Sequence, residues 1–306
     1  MTDLVTRAQI DMLAELLGTD AAQLRELERL GAHDLKALRE RISDVLFDAM
    51  APTFARVAKL APLVPNQLAA SVAVRAVPPE VGGRAGGAIG IDMPERAADL
   101  LGRLPPDYMA DAAPYLDPRA IAVLAPRIPA DALIPAANEL LDRRDYTTTV
   151  RFVEHATDEL IRAFERGIPD DVGLLRTAAL TPSSDRLDSI VGVLPSARRD
   201  RIVVAGITGD DDAVLACLSV VSRLSASLAE RAAEVLFDAL DADGLDRVLG
   251  LAIAGGACAE VLDIAGGLSE AMLERLAGHC RFDDTAFAGA AATSPRRARA
   301  LARLTT

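Results

Sequence analysis

The stretch Met93–Leu141 reads MPERAADLLGRLPPDYMADAAPYLDPRAIAVLAPRIPADALIPAANELL, and its prolines recur at a nearly constant interval. Pro94, Pro106, Pro118 and Pro129 follow one another at steps of 12, 12 and 11 residues. Proline is tolerated in the first turn of an α-helix, where its missing N–H group has no partner to lose. Each of these prolines therefore predicts a helix start.

The positions that follow each proline also repeat. Gly or Pro stands eight residues later, which predicts a helix end, and an apolar residue stands ten residues later, namely Leu104, Leu116 or Ile128. Helices confined between these signals have roughly two turns at about 3.6 residues per turn. Since the same apolar position recurs in every step, we predict an all-α fold in which short helices stack as a solenoid around a shared interior.

The rest of the chain divides around this repeat. Residues 1–51 lack the proline interval and predict longer helices, the last running from Asp34 to about Met50, that form an N-terminal cap. Residues 52–206 form the short-helix array, which includes a second set of prolines, Pro169, Pro182 and Pro195, at steps of 13 residues. Residues 207–306 predict longer helices that continue the array.

A glycine-rich segment, VGGRAGGAIGI at residues 81–91, precedes the regular prolines. Glycine-rich loops bind phosphate when they join a strand to a helix, but this segment has no preceding strand, no GK[ST] and no GxGxxG spacing. We therefore predict close helix packing or a flexible connection here, because glycine lets backbones approach each other.

Composition limits the classes of function. The net charge of −12 disfavours binding to nucleic acid or to anionic lipid, both of which need basic surfaces. The apolar runs are shorter than the roughly 20 residues of a membrane span, and residues 1–17 lack the pattern of a secretion signal. We expect a cytoplasmic protein without a transmembrane segment. Its three cysteines, Cys217, Cys258 and Cys280, have no paired spacing and predict buried thiols.

Residues 92–141 resemble the cytosolic N-terminal domain of the MgtE magnesium channels and transporters. That family shares the rhythm P-x-x-A-A-x-L-L-x-x-L-P, found here from Pro94 to Pro105, and the phrase L-D-P, found from Leu116 to Pro118. The resemblance implies a right-handed α-solenoid of the armadillo type, which docks on other domains and senses Mg²⁺ through acidic side chains. Because the sequence has no CBS-like or membrane-spanning segment, we expect no channel activity.

Two charged clusters are candidate sites. Asp210, Asp211 and Asp212 are oxygen donors of the kind that Mg²⁺ prefers, although their position after Gly209 also suits the N-terminus of a helix. A basic cluster near the C-terminus could receive an acidic partner or pair with the chain's own carboxylates. It consists of Arg296, Arg297, Arg299 and Arg303.

No spacing of His, Cys or Ser matches a catalytic motif, and the sequence predicts a non-enzymatic binding or adaptor protein that acts on a protein partner through a curved surface. The apolar content of 51% leaves alternatives, since the surplus would fit a closed or strongly curved array, a dimer interface or a cavity for a lipid-like molecule. The family resemblance adds a third hypothesis, a Mg²⁺-responsive regulator. No other cofactor is predicted.

Overall fold

The structure is a computed structural model that describes residues 2–60 and 63–305, without the side chains of residues 51, 55–58 and 60. The predicted all-α class is confirmed: the described residues form α-helices joined by turns and short 3-10 helices, and no strand occurs among them. Within these residues, no helix has the combination of length and hydropathy that crossing a membrane requires.

The first ten α-helices are α1 (Leu4–Leu17), α2 (Gly31–Leu60), α3 (Asn66–Ala76), α4 (Pro79–Asp92), α5 (Pro94–Leu101), α6 (Pro106–Ala112), α7 (Pro118–Leu124), α8 (Ala130–Asp142), α9 (Tyr146–Glu154) and α10 (Asp158–Gly167). They are followed by α11 (Asp171–Ala179), α12 (Ser184–Val193), α13 (Ser196–Ile207), α14 (Asp211–Val221), α15 (Ala226–Asp238), α16 (Ala242–Ala254), α17 (Cys258–Ala265), α18 (Glu270–Leu276), α19 (Thr285–Ala291) and α20 (Pro295–Leu304).

The chain forms two compact units. Unit 1 contains Met1–Lys36 together with Asp171–Thr306, and unit 2 contains Ala37–Asp170. The domain boundaries predicted at residues 51 and 206 fall inside α2 and α13. The predicted division into cap, array and continuation remains a prediction.

Unit 2 is built from two rows of stacked helices. In one row α3 contacts α5, α5 contacts α7 and α7 contacts α9, while in the other α4 contacts α6, α6 contacts α8 and α8 contacts α10. In the first row the helices begin at residues 66, 94, 118 and 146, so that neighbours lie 24 to 28 residues apart. From α5 to α7, where the prolines are regular, neighbours in this row are two proline steps apart.

The four regularly spaced prolines lie at helix starts, as the sequence predicted. Pro94, Pro106 and Pro118 are the first residues of α5, α6 and α7, and Pro129 is the N-cap residue of α8. These three proline-initiated helices have 8, 7 and 7 residues, which confirms helices of about two turns. The repeated apolar position is buried in two of three cases, at Leu116 and Ile128.

The glycine-rich segment is part of helix α4, and its glycines are contact points. A β-carbon at Gly87 would lie 3.0 Å from the backbone nitrogen of Asp117, and one at Gly83 would overlap the carbonyl oxygen of Ala112. Glycine at these positions lets the α4 backbone touch the segment Ala112–Asp117 directly. Of the two predictions for this segment, close helix packing is confirmed and a flexible connection is wrong.

Unit 1 holds a large apolar core, and its helices also stack in sequence order. α11 contacts α14, α14 contacts α17, and α17 contacts α20. Ion pairs span similar chain separations, because the Arg247–Asp211, Arg281–Asp246 and Arg297–Asp263 pairs join residues 36, 35 and 34 positions apart. Helix α1 joins this core through a contact with α14.

The expected end of the last N-terminal helix is wrong. Helix α2 does not end near Met50 but continues through Pro52 to Leu60, and residues Ala21–Leu30 form a 3-10 helix. Strong helix formers flank Pro52 in the sequence, Met50 and Ala51 before it and Ala55 and Arg56 after it, and they favour a helix on both sides. The apolar face of α2 is also not wholly buried, because Val45 is 68% exposed.

Candidate functional site

The three consecutive aspartates lie at the start of α14, where they have roles in the fold. Asp210 is the N-cap residue and accepts a 2.9 Å hydrogen bond from the backbone N–H of Ala213. It also pairs with Arg176, while Asp211 accepts a 2.7 Å hydrogen bond from Arg247. In the described part of the chain, no three His, Cys, Asp or Glu side chains are grouped so that they could hold a metal ion. The helix-capping role that the sequence also allowed is observed for Asp210.

The C-terminal arginines lie on α20, and two of the four form ion pairs within unit 1. Arg297 donates two hydrogen bonds, of 2.9 and 2.6 Å, to the carboxylate of Asp263. Arg303 forms an ion pair with Glu270. Arg296 and Arg299 are exposed. An acidic partner at this helix remains a prediction.

The cysteines divide into two kinds. Cys217 and Cys258 are fully buried, and their thiols donate to the carbonyl oxygens of Val203 and Ala252. Burial raises the pKa of Cys217 to about 12 and that of Cys258 to about 11, so both remain thiols at neutral pH. Cys280 is exposed, which contradicts the expectation that all three are core residues. None of the three forms a disulfide.

A polar cluster that the sequence did not reveal holds α1 in unit 1. Glu260, on α17, is 5% exposed and accepts a 2.8 Å hydrogen bond from the backbone N–H of Leu4. Burial raises the pKa of Glu260, and nearby Arg7 opposes this shift. Further along α1, Nε2 of Gln9 donates a 2.9 Å hydrogen bond to the carbonyl oxygen of Leu180.

Arg223 extends this polar region with hydrogen bonds to three backbone carbonyls. Its guanidinium donates to Ala179, Thr181 and Ser219. Burial lowers its pKa to about 10, and the charges of Asp3 and Glu260 oppose that shift. The side chain therefore stays protonated at neutral pH. Because its donors face carbonyls of its own fold, Arg223 has a structural role.

Helix α3 is the exposed end of the first row of unit 2. It contacts α5 on one side, and only Ala70 is buried among its residues. Leu68, Val72 and Val74 are 56%, 48% and 42% exposed. Beside them lies an open groove of about 360 Å³, lined in part by Val74, Arg75 and Arg103. Leu68, Val72 and Arg75 share one side of α3, while Val74 lies on another side and faces the groove.

A second cavity lies inside unit 1, between α11, α13, α14 and α15. It has a volume of about 70 Å³, and most of its lining is apolar, including Leu175, Val203 and Val221. Three charged residues also line it: Arg199, Asp200 and Arg231. Asp200 and Arg231 form an ion pair with a 2.7 Å separation. An apolar cavity with a charged rim can bind a small amphiphilic molecule.

Comparison of the chain with protein-family models, with curated proteins and with solved structures gives no match. The function proposed below therefore rests on the geometry of the described residues and on the sequence pattern.

Proposed function

We propose that the protein is a helical-repeat binding or adaptor protein, in which α3 receives a helix of a protein partner. The supporting observation is that α3 exposes Leu68, Val72 and Val74 at the end of a row of stacked helices. In a repeat array each helix buries its apolar side against a neighbour, and an end unit normally has a polar outer face. An apolar end helix therefore suits a further helix supplied by another molecule.

The side chains around α3 indicate which kind of partner helix would bind there. Leu68 and Val72 are four residues apart and lie on the same side of the helix. Arg75 and Arg103 border the adjoining groove, although Arg103 also pairs with Asp99. We expect an amphipathic helix whose apolar face packs on Leu68 and Val72 and whose flank carries acidic residues.

The same proposal includes the architecture. The two rows of unit 2 support an α-solenoid whose repeat is a helix pair. Its right-handed sense and its relation to the MgtE N-terminal domain are part of the proposal and follow from the sequence resemblance.

The test is a comparison of tagged proteins as baits in cell lysate. The variant Leu68→Asp/Val72→Asp places two negative charges on the α3 surface, and Val204→Asp places one on an exposed valine of α13 as a control. Both should unfold at the wild-type temperature, because the replaced side chains are exposed. A partner that binds the wild type and the control but not the α3 variant supports the proposal. If the α3 variant retains every protein that the wild type binds, this surface is not the binding site.

Sedimentation of the same three proteins distinguishes a foreign partner from a second copy of the chain. A wild-type dimer that the α3 variant abolishes would identify the second copy as the occupant. A monomer at all concentrations leaves the foreign helix as the occupant.

The cavity of unit 1 favours a second candidate function, the binding of a small apolar molecule. Its apolar lining is the supporting observation. At about 70 Å³ the cavity is smaller than the roughly 150 Å³ that accommodates benzene in an engineered core, so it suits a short aliphatic group and not a whole lipid chain.

A further inference from the structure

The rim of the unit 1 cavity identifies the polar group of its ligand. Arg199 and Arg231 carry positive charge at this rim and Asp200 carries negative charge, which leaves one net positive charge among the lining residues. Asp200 already accepts hydrogen bonds from two nitrogens of Arg231, Nη2 at 2.7 Å and Nε at 3.4 Å. The charge of Arg231 is therefore largely compensated within the protein.

Arg199 differs from its neighbour on the rim. It is partly buried, it lines the cavity, and within residues 2–60 and 63–305 it forms no ion pair and no side-chain hydrogen bond. A guanidinium group next to an apolar cavity, with its donors unused, is suited to a carboxylate, which it can bind through two parallel hydrogen bonds.

We infer that this cavity binds a short aliphatic monocarboxylate, with its hydrocarbon tail among Leu175, Val203 and Val221 and its carboxylate on Arg199. This inference rests on the second candidate function proposed above and adds the class of ligand. On the scale where roughly 150 Å³ holds the six carbons of benzene, about 70 Å³ holds roughly three carbons. Butyrate has this tail length, and longer acids would extend out through the rim.

The test is a titration of the full-length protein with butyrate, butanol and butylammonium, followed through the methyl resonances of Val203 and Val221. These three compounds share their tail and differ in the charge of the head group. We expect butyrate to bind at least about tenfold more tightly than butanol, because a charge-assisted hydrogen bond contributes more than a neutral one. Butylammonium should not shift these resonances, because the rim is positive.

Four variants, one of them a control, separate the contributions of the head group and the tail. Arg199→Gln should reduce butyrate affinity to that of butanol, while Arg199→Lys should restore part of the difference. Ala232→Leu fills the cavity from α15 and should abolish the binding of both compounds, since Ala232 lines it and is only partly buried. Arg299→Gln removes an exposed arginine of the same unit and should leave butyrate binding unchanged.

The outcomes of these experiments distinguish the carboxylate inference from the second candidate function, on which it rests. Equal binding of butanol and butyrate, unaffected by Arg199→Gln, would overturn the carboxylate inference and leave a site for a small apolar molecule. Absence of binding by all three compounds at tens of millimolar would overturn both. Butyrate binding that persists in Ala232→Leu would place it elsewhere and also overturn the inference.

Discussion

The backbone N–H of Leu4 donates a 2.8 Å hydrogen bond to Oε1 of Glu260, a residue 256 positions later in the chain. This bond ties the first turn of α1 to α17, inside the same compact unit. Because Glu260 is buried, its carboxylate loses hydration on folding, and the hydrogen bond from Leu4 compensates only in part.

The stability of the protein should depend on the protonation of Glu260. Burial raises the pKa of Glu260 in the folded state above its unfolded value of 4.5, so the folded state binds the proton more tightly. This contribution to the unfolding free energy is fully present below pH 4.5 and is lost as the pH rises through the folded-state pKa. Urea unfolding of the wild type and of Glu260→Gln, repeated at pH values from below 4.5 to neutral, measures this contribution to the unfolding free energy.

The glutamine variant keeps a hydrogen-bond acceptor for Leu4 but cannot ionise. We expect the wild type to lose stability relative to Glu260→Gln as the pH rises. A difference between the two proteins that stays constant with pH would contradict the assignment. Glu260→Ala, which leaves the Leu4 N–H without its acceptor, should cost about 1–3 kcal/mol.

Arg223 should be needed for the stability of unit 1. Arg223→Met removes the hydrogen-bond donor for three carbonyl groups. We expect the unfolding free energy to fall by at least about 2 kcal/mol, because buried acceptors without a donor destabilise the folded state. Arg303→Met is the matched control, because Arg303 is exposed and pairs with an exposed Glu270. Urea denaturation midpoints should fall for the first variant only. Equal falls in the two midpoints would show that the hydrogen bonds of Arg223 stabilise the protein no more than a surface ion pair does.

The glycines of α4 should tolerate no side chain where the backbones touch. Gly83→Ala should destabilise the protein by about 1–3 kcal/mol, because the added methyl group overlaps the carbonyl oxygen of Ala112. Gly192→Ala is the control: nothing lies within 4 Å of the added carbon, and the change should stabilise α12 by up to about 1 kcal/mol. Thermal unfolding measures both effects. If the unfolding temperatures of both variants shift in the same direction, the close packing of α4 does not explain why glycine is needed at position 83.

The thiols should react in two stages. Native protein exposes one cysteine, Cys280, and buries Cys217 and Cys258, whose raised pKa values keep them protonated. A thiol reagent at neutral pH should modify one equivalent rapidly and the other two only after denaturation. Replacing Cys280 with Ser should remove the rapid phase. Rapid modification of the remaining thiols would show that the core of unit 1 opens readily.

Local signals in the sequence were sufficient for much of the fold. Pro118 fixes a helix start through its own ring, and Thr157 caps α10 through a bond to Leu160, so both could be predicted from neighbouring residues. The continuation of α2 through Pro52 could not be predicted in this way, because a proline in the first turn of a helix and one inside a helix look alike when the residues around both favour helix.

The candidate sites depended on contacts that the sequence does not encode locally. Glu260 stands in the apolar segment CAEVLDIA, and that context is the one signal that it is buried. Its pairing with Leu4 depends on how α1 and α17 meet. The exposure of α3 was equally hidden, since Leu68 and Val72 have the spacing of an ordinary buried helix face.

The division of the chain between the two units has a consequence for biosynthesis. Every row contact of unit 2 joins segments that leave the ribosome within a few dozen residues of one another, so this unit can fold while translation continues. Helix α1 leaves the ribosome long before its partners on α14 and α17 are made. Before then, α1 can contact the adjacent 3-10 helix Ala21–Leu30, but the side that packs on α14 stays unprotected until α14 has been synthesised.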